Sequence, residues 1–419
     1  MELLKYLSDV TDSIMAHAAK KYPQNMWMFE IQRDFWHGIK EAHQNGKKLV
    51  MFGACIAPEI AYGFDAPVLV PDAISTRLAS TPELINKYID IAEESVPATV
   101  CGIDKAILGI FASGDLEELP DAFVYSTVPC DSGRVAYAAA ADILSKKGVP
   151  CYTVDVPYRK DDYGYEYLAT QFDGVIKWLE GVLGQKFDWD RMKTVMEKSN
   201  KATELLAENA KMRRLVPCPM PGRMLVLNEL YTSMLGSDSL ITFLQKELDV
   251  AKANVAAGRG AVKQENYRVC WLQNMVWSNV GLMDWLEREY GAVVIMDGMG
   301  YDRGVTCPDC GDKHSILLTL GKRALATPMV HASSGPAQPW VELASEMYDL
   351  YSINLSMFIG HVGCKHTWAA SKLVTDEIKK RFGLPTLNLD LDAIDGRYKS
   401  TEDIKATISE YMETIAKQE

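Results

Sequence analysis

The sequence lacks a long hydrophobic run, since no apolar stretch approaches the roughly 18 residues that a transmembrane helix requires. Its opening residues carry charge too early for the apolar core of a signal peptide. We therefore expect a protein that is neither exported nor inserted into a membrane, and we predict a cytoplasmic location.

Positive charge is also scarce, because 44 Lys and Arg residues stand against 56 Asp and Glu residues and leave a formal net charge of -12. Proteins that bind nucleic acids rely on clustered Lys and Arg to neutralise phosphates. The composition therefore argues against nucleic acid as a partner and favours an acidic enzyme.

The chain contains 9 cysteines, which are poor evidence for a disulfide framework. An odd number of cysteines, scattered through a long chain without an export signal, is better evidence for metal binding or buried thiols. Cys151 and Cys270 lie in predicted strands, where a free thiol usually packs as a small apolar group. Cys307 and Cys310 form a C-x-x-C, but no second pair stands at the spacing of a zinc site.

The chain of 419 residues, 48% of them hydrophobic, is too long for one ordinary core. From Leu49 onward, apolar runs of strand length alternate with amphipathic helix patterns, and this alternation resumes at Tyr267 after a long helical stretch. The alternation predicts an α/β fold with parallel sheets. We expect four regions: an N-terminal helical region (1–47), a first α/β domain (48–164), a helical connector (165–262) and a second α/β domain (263–419).

Cys101, Cys130 and Cys364 each stand where an apolar run ends and an amphipathic helix pattern begins. The carboxyl edge of an open α/β sheet is where such proteins bind ligands. Helix N-termini lie at the same edge, and their free N–H groups favour thiolates and electron-rich metal clusters. This placement indicates an iron–sulfur enzyme, with three unrelated thiols as the alternative that spacing alone leaves open.

The sequence around these cysteines resembles a known family. Its motifs are Val100-Cys101-Gly102, Pro129-Cys130-Asp131 and Gly360-His361-Val362-Gly363-Cys364-Lys365. They resemble the 2-hydroxyacyl-CoA dehydratase and benzoyl-CoA reductase family, including subunits like the 2-hydroxyglutaryl-CoA dehydratase D-component. The resemblance extends from about residue 48 to the end of the chain.

The resemblance implies two flavodoxin-like domains with helical additions. It implies that Cys101, Cys130 and Cys364 bind a 4Fe-4S cluster, which leaves one iron without a protein thiolate. In the dehydratases of this family, a low-potential electron reduces the thioester carbonyl to a ketyl radical, which can expel the neighbouring hydroxyl, and the electron is recycled afterwards. The implied partners are an acyl-CoA substrate, an ATP-dependent iron–sulfur activator protein and a homologous second subunit, in a heterodimer or a homodimer.

Two positions depart from the family pattern. Where dehydratases tend to carry a hydroxyl residue and a glutamate, this chain has Ala54 and Asp72. Alanine offers no hydrogen bond to a substrate oxygen, and aspartate reaches less far than glutamate. Cys55, beside the first position, is either a core residue or a fourth cluster ligand.

The remaining catalytic candidates are Glu59, Asp72 and His361, which stand near the predicted sheet edges. Two other functions stay open at this point. One is a reductase of the same family, either similar to benzoyl-CoA reductase or a double-cubane-cluster enzyme that would also use Cys55, Cys307 and Cys310. The other is a non-catalytic electron-transfer or scaffold subunit.

Overall fold

The computed structural model describes residues 2–21, 26–116, 118–300 and 304–416. It contains two four-stranded sheets in which every neighbouring pair of strands is parallel. The strands of the first sheet are β1 (Val50–Phe52), β2 (Val68–Leu69), β3 (Ala122–Ser126) and β4 (Cys151–Val154). Those of the second sheet are β5 (Tyr267–Leu272), β6 (Ala292–Asp297), β7 (Leu355–His361) and β8 (Thr386–Leu391).

The two sheets share one strand order. The first runs β2-β1-β3-β4 and the second runs β6-β5-β7-β8, so each follows the order 2-1-3-4 of a flavodoxin-like sheet. In this order, ligands bind where the connections diverge, beyond the carboxyl ends of the two central strands. The predicted α/β class with two parallel sheets is confirmed.

Helices surround both sheets. The N-terminal region forms α1 (Leu3–Lys21) and α2 (Trp27–Gln44), as predicted. The helices between the strands of the first sheet are α3 (Glu59–Gly63), α4 (Pro71–Leu78), α5 (Pro82–Glu93), α6 (Gly102–Ala112) and α7 (Asp131–Lys146). The stretch before the second sheet forms α8 (Asp162–Leu183), α9 (Trp189–Met212), α10 (Asn228–Met234) and α11 (Asp238–Ala256).

The second sheet is accompanied by α12 (Gly281–Tyr290), α13 (Lys313–Ala326), α14 (Pro328–Ser333), α15 (Gln338–Tyr351), α16 (Lys365–Phe382) and α17 (Thr401–Ala416). These helices bury strands that are apolar on both faces: all residues of β6 and β7 are buried. No helix in the described ranges is both long and apolar enough to cross a membrane.

Side-chain caps begin the long helices of the connector. The Asp188 carboxylate accepts a hydrogen bond from the backbone N–H of Arg191, as expected of the N-cap of α9. Gly184 ends α8 in the left-handed conformation with φ 67°, which glycine adopts without steric cost. The proposed division of the chain at residues 47, 164 and 262 stays a prediction.

The structure departs from the sequence analysis before Cys101. That residue follows α5 and an irregular segment, 94–100, and not a strand. Few apolar residues precede it. Pro97 has no backbone N–H to donate to a neighbouring strand, and the residues around it form turns, so no β-strand forms there. The repeated strand-to-helix context was therefore wrong for Cys101, while it holds for Cys130 after β3 and Cys364 after β7.

The two halves meet at small residues. A side chain on Gly363 would clash with the backbone of Cys101, and one on Gly102 would clash with the carboxylate of Asp392. Only residues without a Cβ permit this approach. The halves are also joined by an ion pair of 2.8 Å between Arg397 Nη1 and Asp90 Oδ1.

We predict that Gly109→Ala destabilises the chain. Gly109 lies in α6, where an added methyl would overlap the carbonyl oxygen of Tyr88 in α5. Such overpacking typically costs about 1–3 kcal/mol. Gly38→Ala in α2 is the matched control, because no atom lies within 4 Å of its added methyl, and it should stabilise by about 0.5–1 kcal/mol. Denaturant unfolding of both variants checks this, and equal stability changes would contradict it.

Candidate functional site

Cys101, Cys130 and Cys364 occupy the N-cap positions of three helices, α6, α7 and α16. All three line one cavity of about 60 Å³, which we call the cysteine cavity. Residues from the first and the second α/β region of the chain therefore line one cavity. Each helix N-terminus directs unpaired N–H groups and a positive dipole end toward this region.

Backbone hydrogen bonds hold the cysteines in place. The Cys130 sulfur accepts a hydrogen bond from the backbone N–H of Gly133 at 3.3 Å. The hydroxyl of Ser132 accepts one from the backbone N–H of Cys101 at 2.9 Å, which ties the first two cysteines together. The Cys364 N–H donates to the carbonyl of His361 at 2.7 Å. These hydrogen bonds therefore fix the sulfur of Cys130 and the backbones of Cys101 and Cys364.

The surroundings of the three sulfurs disfavour free thiolates. Burial raises the pKa of the Cys101 and Cys130 thiols, and the nearby carboxyl of Asp104 raises them further. Burial likewise raises the pKa of Cys364. The pKa of Asp104 itself is raised to about 7 by burial and by Asp72. A positive partner in the cavity would be needed to hold these sulfurs as thiolates.

His361 lines the same cavity with its polar atoms unused. It is buried, and neither ring nitrogen has a hydrogen-bond partner within the described part of the chain. Burial lowers the pKa of the imidazole, which favours the neutral form. Buried polar atoms in native proteins are nearly always paired, so this ring, which lines a cavity, is suited to bond to a group bound there.

Asp72 also lines the cysteine cavity, and its carboxylate is hydrogen-bonded to another side chain. The hydroxyl of Tyr137 donates a short hydrogen bond to the Asp72 carboxylate, and the Ala54 N–H donates to the Tyr137 oxygen at 3.2 Å. Burial raises the pKa of both Asp72 and Tyr137. The phenol of Tyr137 therefore contacts both Ala54 and Asp72, the two positions at which the sequence departs from the family pattern.

Sequence reasoning missed Tyr137, although a signal was present. It stands seven residues after Cys130 on α7, so two helical turns bring it back to the same face. Asp104 was missed in the same way, since it lies in the first turn of the helix that Cys101 begins. Both are residues that helical spacing from a cysteine would have found.

A second cavity of about 140 Å³, the central cavity, adjoins the first. The loop after β1, from Gly53 to Glu59, forms one wall. Asn274, Met299 and Met329 line both cavities, so the two spaces are neighbours separated by these side chains. The central cavity is mostly apolar, as binding sites for organic ligands usually are.

Glu59 lies at the wall of the central cavity, but its carboxylate is already engaged. It is only 2% exposed and forms an ion pair of 3.0 Å with Arg323. It also accepts a hydrogen bond from the hydroxyl of Ser199 at 3.1 Å. A paired, buried carboxylate of this kind positions neighbouring elements, and breaking the pair would leave an uncompensated charge.

The other cysteines lie elsewhere. Cys55 faces the central cavity and has a positive φ of 66°. The backbone N–H of Cys307 donates to the Asn200 side chain at 2.7 Å, and the Cys307 sulfur lies 3.5 Å from the Ser315 hydroxyl. Across the ranges that the structure describes, neither Cys307 nor Cys310 lines the cysteine cavity.

Single metal ions find no site in this arrangement. No three or more His, Cys, Asp or Glu side chains of the described residues form a group that could hold one ion. His314, close to the C-x-x-C, instead approaches Glu166 at 3.1 Å. Near Cys364, Lys365 forms an ion pair of 2.7 Å with Asp131.

Comparison with known proteins shows that most of this sequence matches one protein family. The model of the family described as 2-hydroxyglutaryl-CoA dehydratase, D-component, matches residues 55–415. A benzoyl-CoA reductase subunit of Thauera aromatica is 23% identical over 385 residues, which cover 85% of this chain and 86% of that protein.

Two dehydratase subunits are similarly related. The lactoyl-CoA dehydratase alpha subunit of Anaerotignum propionicum is 23% identical over 338 residues, 78% of this chain and 76% of that protein. The (R)-phenyllactyl-CoA dehydratase alpha subunit of Clostridium sporogenes is 23% identical over 224 residues, 52% of this chain and 53% of that protein. Since the family model spans most of the sequence, the chain belongs to the 2-hydroxyglutaryl-CoA dehydratase D-component family.

Proposed function

We propose that this chain is the iron–sulfur subunit of a 2-hydroxyacyl-CoA dehydratase-type enzyme. The observation that carries the proposal is the meeting of Cys101, Cys130 and Cys364, each at a helix N-terminus, around one cavity that adjoins a larger apolar one. In this proposal the three sulfurs hold a 4Fe-4S cluster, and an acyl-CoA occupies the central cavity.

The donor set is of the kind that iron–sulfur clusters use. The three sulfurs line a common cavity. Cysteine thiolates are the usual protein ligands of iron–sulfur clusters, so the residue types fit such a group. When bound, a cluster with three protein ligands supplies one-electron chemistry at low potential and one exchangeable iron position.

The protein would stabilise such a cluster through its own groups. The dipoles of α6, α7 and α16 favour negative charge, and the Gly133 N–H already donates to the Cys130 sulfur. The unpaired nitrogens of His361 face the same cavity and can donate or accept a hydrogen bond there. We assign His361 a role in orienting a ligand of the cysteine cavity.

The central cavity is the proposed site of the acyl group. Asn274, Met299 and Met329 border both cavities, so a thioester bound in the central cavity would reach the cysteine cavity past these side chains. Glu59 and Arg323 hold the wall through their ion pair. The reaction we propose is loss of water from a 2-hydroxyacyl-CoA, through a ketyl radical, after ATP-driven one-electron activation.

Asp72 and Tyr137 are the proposed proton-handling pair. Burial raises the pKa of each group, which favours the protonated form of both. A phenol that is hydrogen-bonded to a carboxyl group can pass a proton to a ligand at the cavity wall. This pair would take the place of the hydroxyl residue and glutamate that the family pattern carries.

A reductase of the same family is the second candidate, and one observation favours it. Ala54 brings no hydroxyl to the cavity, whereas Tyr137 and Asp72 offer a buried proton source beside it. Reduction of an unsaturated acyl-CoA consumes protons, while elimination of water does not require a net proton supply. A larger cluster involving Cys307 and Cys310 is less well supported, because Asn200 and Ser315 engage that pair.

The proposed partners follow from the family. The relatives are themselves named as subunits of larger enzymes, which supports a second, homologous subunit for this chain. We further propose an ATP-dependent iron–sulfur activator as the electron donor and a cytoplasmic location. If the complex showed neither dehydratase nor reductase activity while its cluster stayed intact, a non-catalytic electron-transfer or scaffold role would replace the enzymatic proposal.

We predict that anaerobically purified protein contains about four irons per chain, one 4Fe-4S cube. Cys101→Ala, Cys130→Ala and Cys364→Ala should each lose most of the iron, because a three-ligand site cannot spare one. Cys55→Ala should keep it, since Cys55 faces the central cavity. Cys151→Ala, in a half-exposed strand, is the control.

Iron analysis and the visible absorption spectrum measure the outcome. Iron contents equal to wild type in Cys101→Ala and Cys364→Ala would rule out the proposed ligands. About eight irons, which is two cubes, would favour the larger-cluster reductase instead.

The reaction is tested by incubating the reconstituted complex, its activator and ATP with either a 2-hydroxyacyl-CoA or an unsaturated acyl-CoA. Mass spectrometry of the thioesters distinguishes loss of water from addition of two hydrogens. We expect the loss of water. Turnover of the unsaturated thioester alone would replace the first candidate with the second.

Tyr137→Phe should lower turnover by about 100-fold or more while iron content stays unchanged, because general acid–base groups typically contribute about 10²–10⁴. Tyr88→Phe is a matched control, since Tyr88 also donates to an aspartate, Asp115, at 3.3 Å. Equal activities of the two variants would show that the Tyr137 phenol has no catalytic role.

A further inference from the structure

A third cavity, of about 180 Å³, lies between the N-terminal helices, α4 and the short helical segment Gly222–Leu227. We call it the arginine cavity, because Arg77 and Arg223 are its charged lining residues. Its other lining side chains are neutral, and among the described residues no carboxylate forms part of the wall. Two cations in one cavity stand out in a chain whose net charge is -12.

Arg77 is the unusual group. Its Nε and Nη2 atoms are buried and have no hydrogen-bond partner in the described chain, while Nη1 makes one long contact of 3.4 Å with the Ser80 hydroxyl. A buried guanidinium without an acceptor is costly, because water no longer solvates it. Burial lowers the pKa of Arg77 to about 10, so the group still carries its charge at neutral pH.

The two unpaired atoms form one edge of the guanidinium fork. Nε and Nη2 point two parallel N–H groups in the same direction, which is the geometry that binds two oxygens of a phosphate or carboxylate. The Arg223 guanidinium lies on the same wall, where an ion pair of 3.1 Å with Asp284 offsets its charge. Thr76 and Gln32 provide further polar groups at the cavity wall.

The arginine cavity is next to the central cavity. The side chain of Trp277 lines both, and the segment Gly222–Leu227 contributes Leu225 to one and Leu227 to the other. The three cavities therefore follow one another: sulfurs in the first, an apolar space in the second and cations in the third. A bound acyl-CoA would follow the same order, with its acyl thioester in the central cavity toward the sulfurs and its pantetheine arm leading to phosphates beside the arginines.

We propose that the arginine cavity is a phosphate-binding subsite, in which Arg77 donates its Nε–Nη2 edge to a phosphate of the CoA portion of the substrate. The identity of the ligand rests on the proposed function, whereas the affinity for a phosphate oxyanion rests on the arginine cavity alone. Arg77 is in this view a binding residue, and its unfavourable burial is relieved when the phosphate enters.

The test is calorimetric titration of the anaerobic, iron-loaded chain with coenzyme A, pantetheine and inorganic phosphate. Arg77→Met removes the charge and both donors, Arg77→Lys keeps the charge without the fork, and Arg381→Met is the control. Arg381 is surface-exposed and pairs with Asp349 at 2.8 Å, away from all three cavities.

We expect Arg77→Met to weaken coenzyme A binding by about 10- to 100-fold, the effect of losing charge-assisted hydrogen bonds. Arg77→Lys should lose less of its affinity for coenzyme A. Pantetheine, which has no phosphate, should bind all variants equally. Ligand-free Arg77→Met should also unfold at a higher temperature than wild type, because an unpaired buried cation is gone. A merely structural arginine would give the opposite shift.

The outcomes separate the two proposals. Unchanged coenzyme A affinity in Arg77→Met overturns the subsite and leaves the function standing. Arg77-dependent binding of inorganic phosphate without any binding of coenzyme A supports the anion site and contradicts an acyl-CoA enzyme. If Arg77→Met does not fold, two other results overturn the subsite. One is equal affinity of the wild type for coenzyme A and pantetheine, and the other is an unchanged affinity of Arg77→Lys for coenzyme A.

Discussion

The approach of Gly363 to the backbone of Cys101 is the contact on which the candidate site depends. It brings the turn after β7 against the start of α6, and so brings one half of the chain to the other at the point where three cysteines stand. A second close approach, of the Asp392 carboxylate to Gly102, supports it, since that carboxylate also accepts the backbone N–H groups of Ile394 and Asp395. A side chain at Gly363 would force the halves apart, because packed backbones do not yield by the width of a methyl group, whereas one at Gly102 would displace the Asp392 carboxylate.

Much of the architecture could be predicted from the sequence, because strands that are buried on both faces are continuous apolar runs. β3 and β7 are such runs, and their ends correctly placed Cys130 and Cys364 at helix starts. Cys101 was predicted to follow a strand and begin a helix. It does begin a helix, but an irregular segment and not a strand lies directly before it. The helices between β6 and β7 were not anticipated, because α14 is only six residues long and α13 follows a turn-rich segment.

The parts of the site that escaped the sequence depend on contacts between distant residues. Tyr137 meets Asp72 across 65 positions, and Arg323 meets Glu59 across 264. Helical spacing alone does not say which buried acid a phenol will find. Likewise, the burial of Arg77 arises from the packing of the N-terminal helices over α4, so a lone arginine in a short helix carries no sign of it. Residues whose roles come from local backbone structure were predictable, and contacts that come from the packing of distant segments, such as Tyr137 with Asp72, were not.

The high pKa values of the three buried thiols have a consequence for the order of assembly. If the proposed cluster is inserted after folding, the chain that receives it would hold neutral sulfurs, and neutral thiols react slowly with oxidants and alkylating agents because the thiolate is the nucleophile. Binding of the proposed cluster would then release up to three protons into solution. Acidic conditions would oppose its insertion, and the folded chain without a cluster would be protected from oxidation and alkylation.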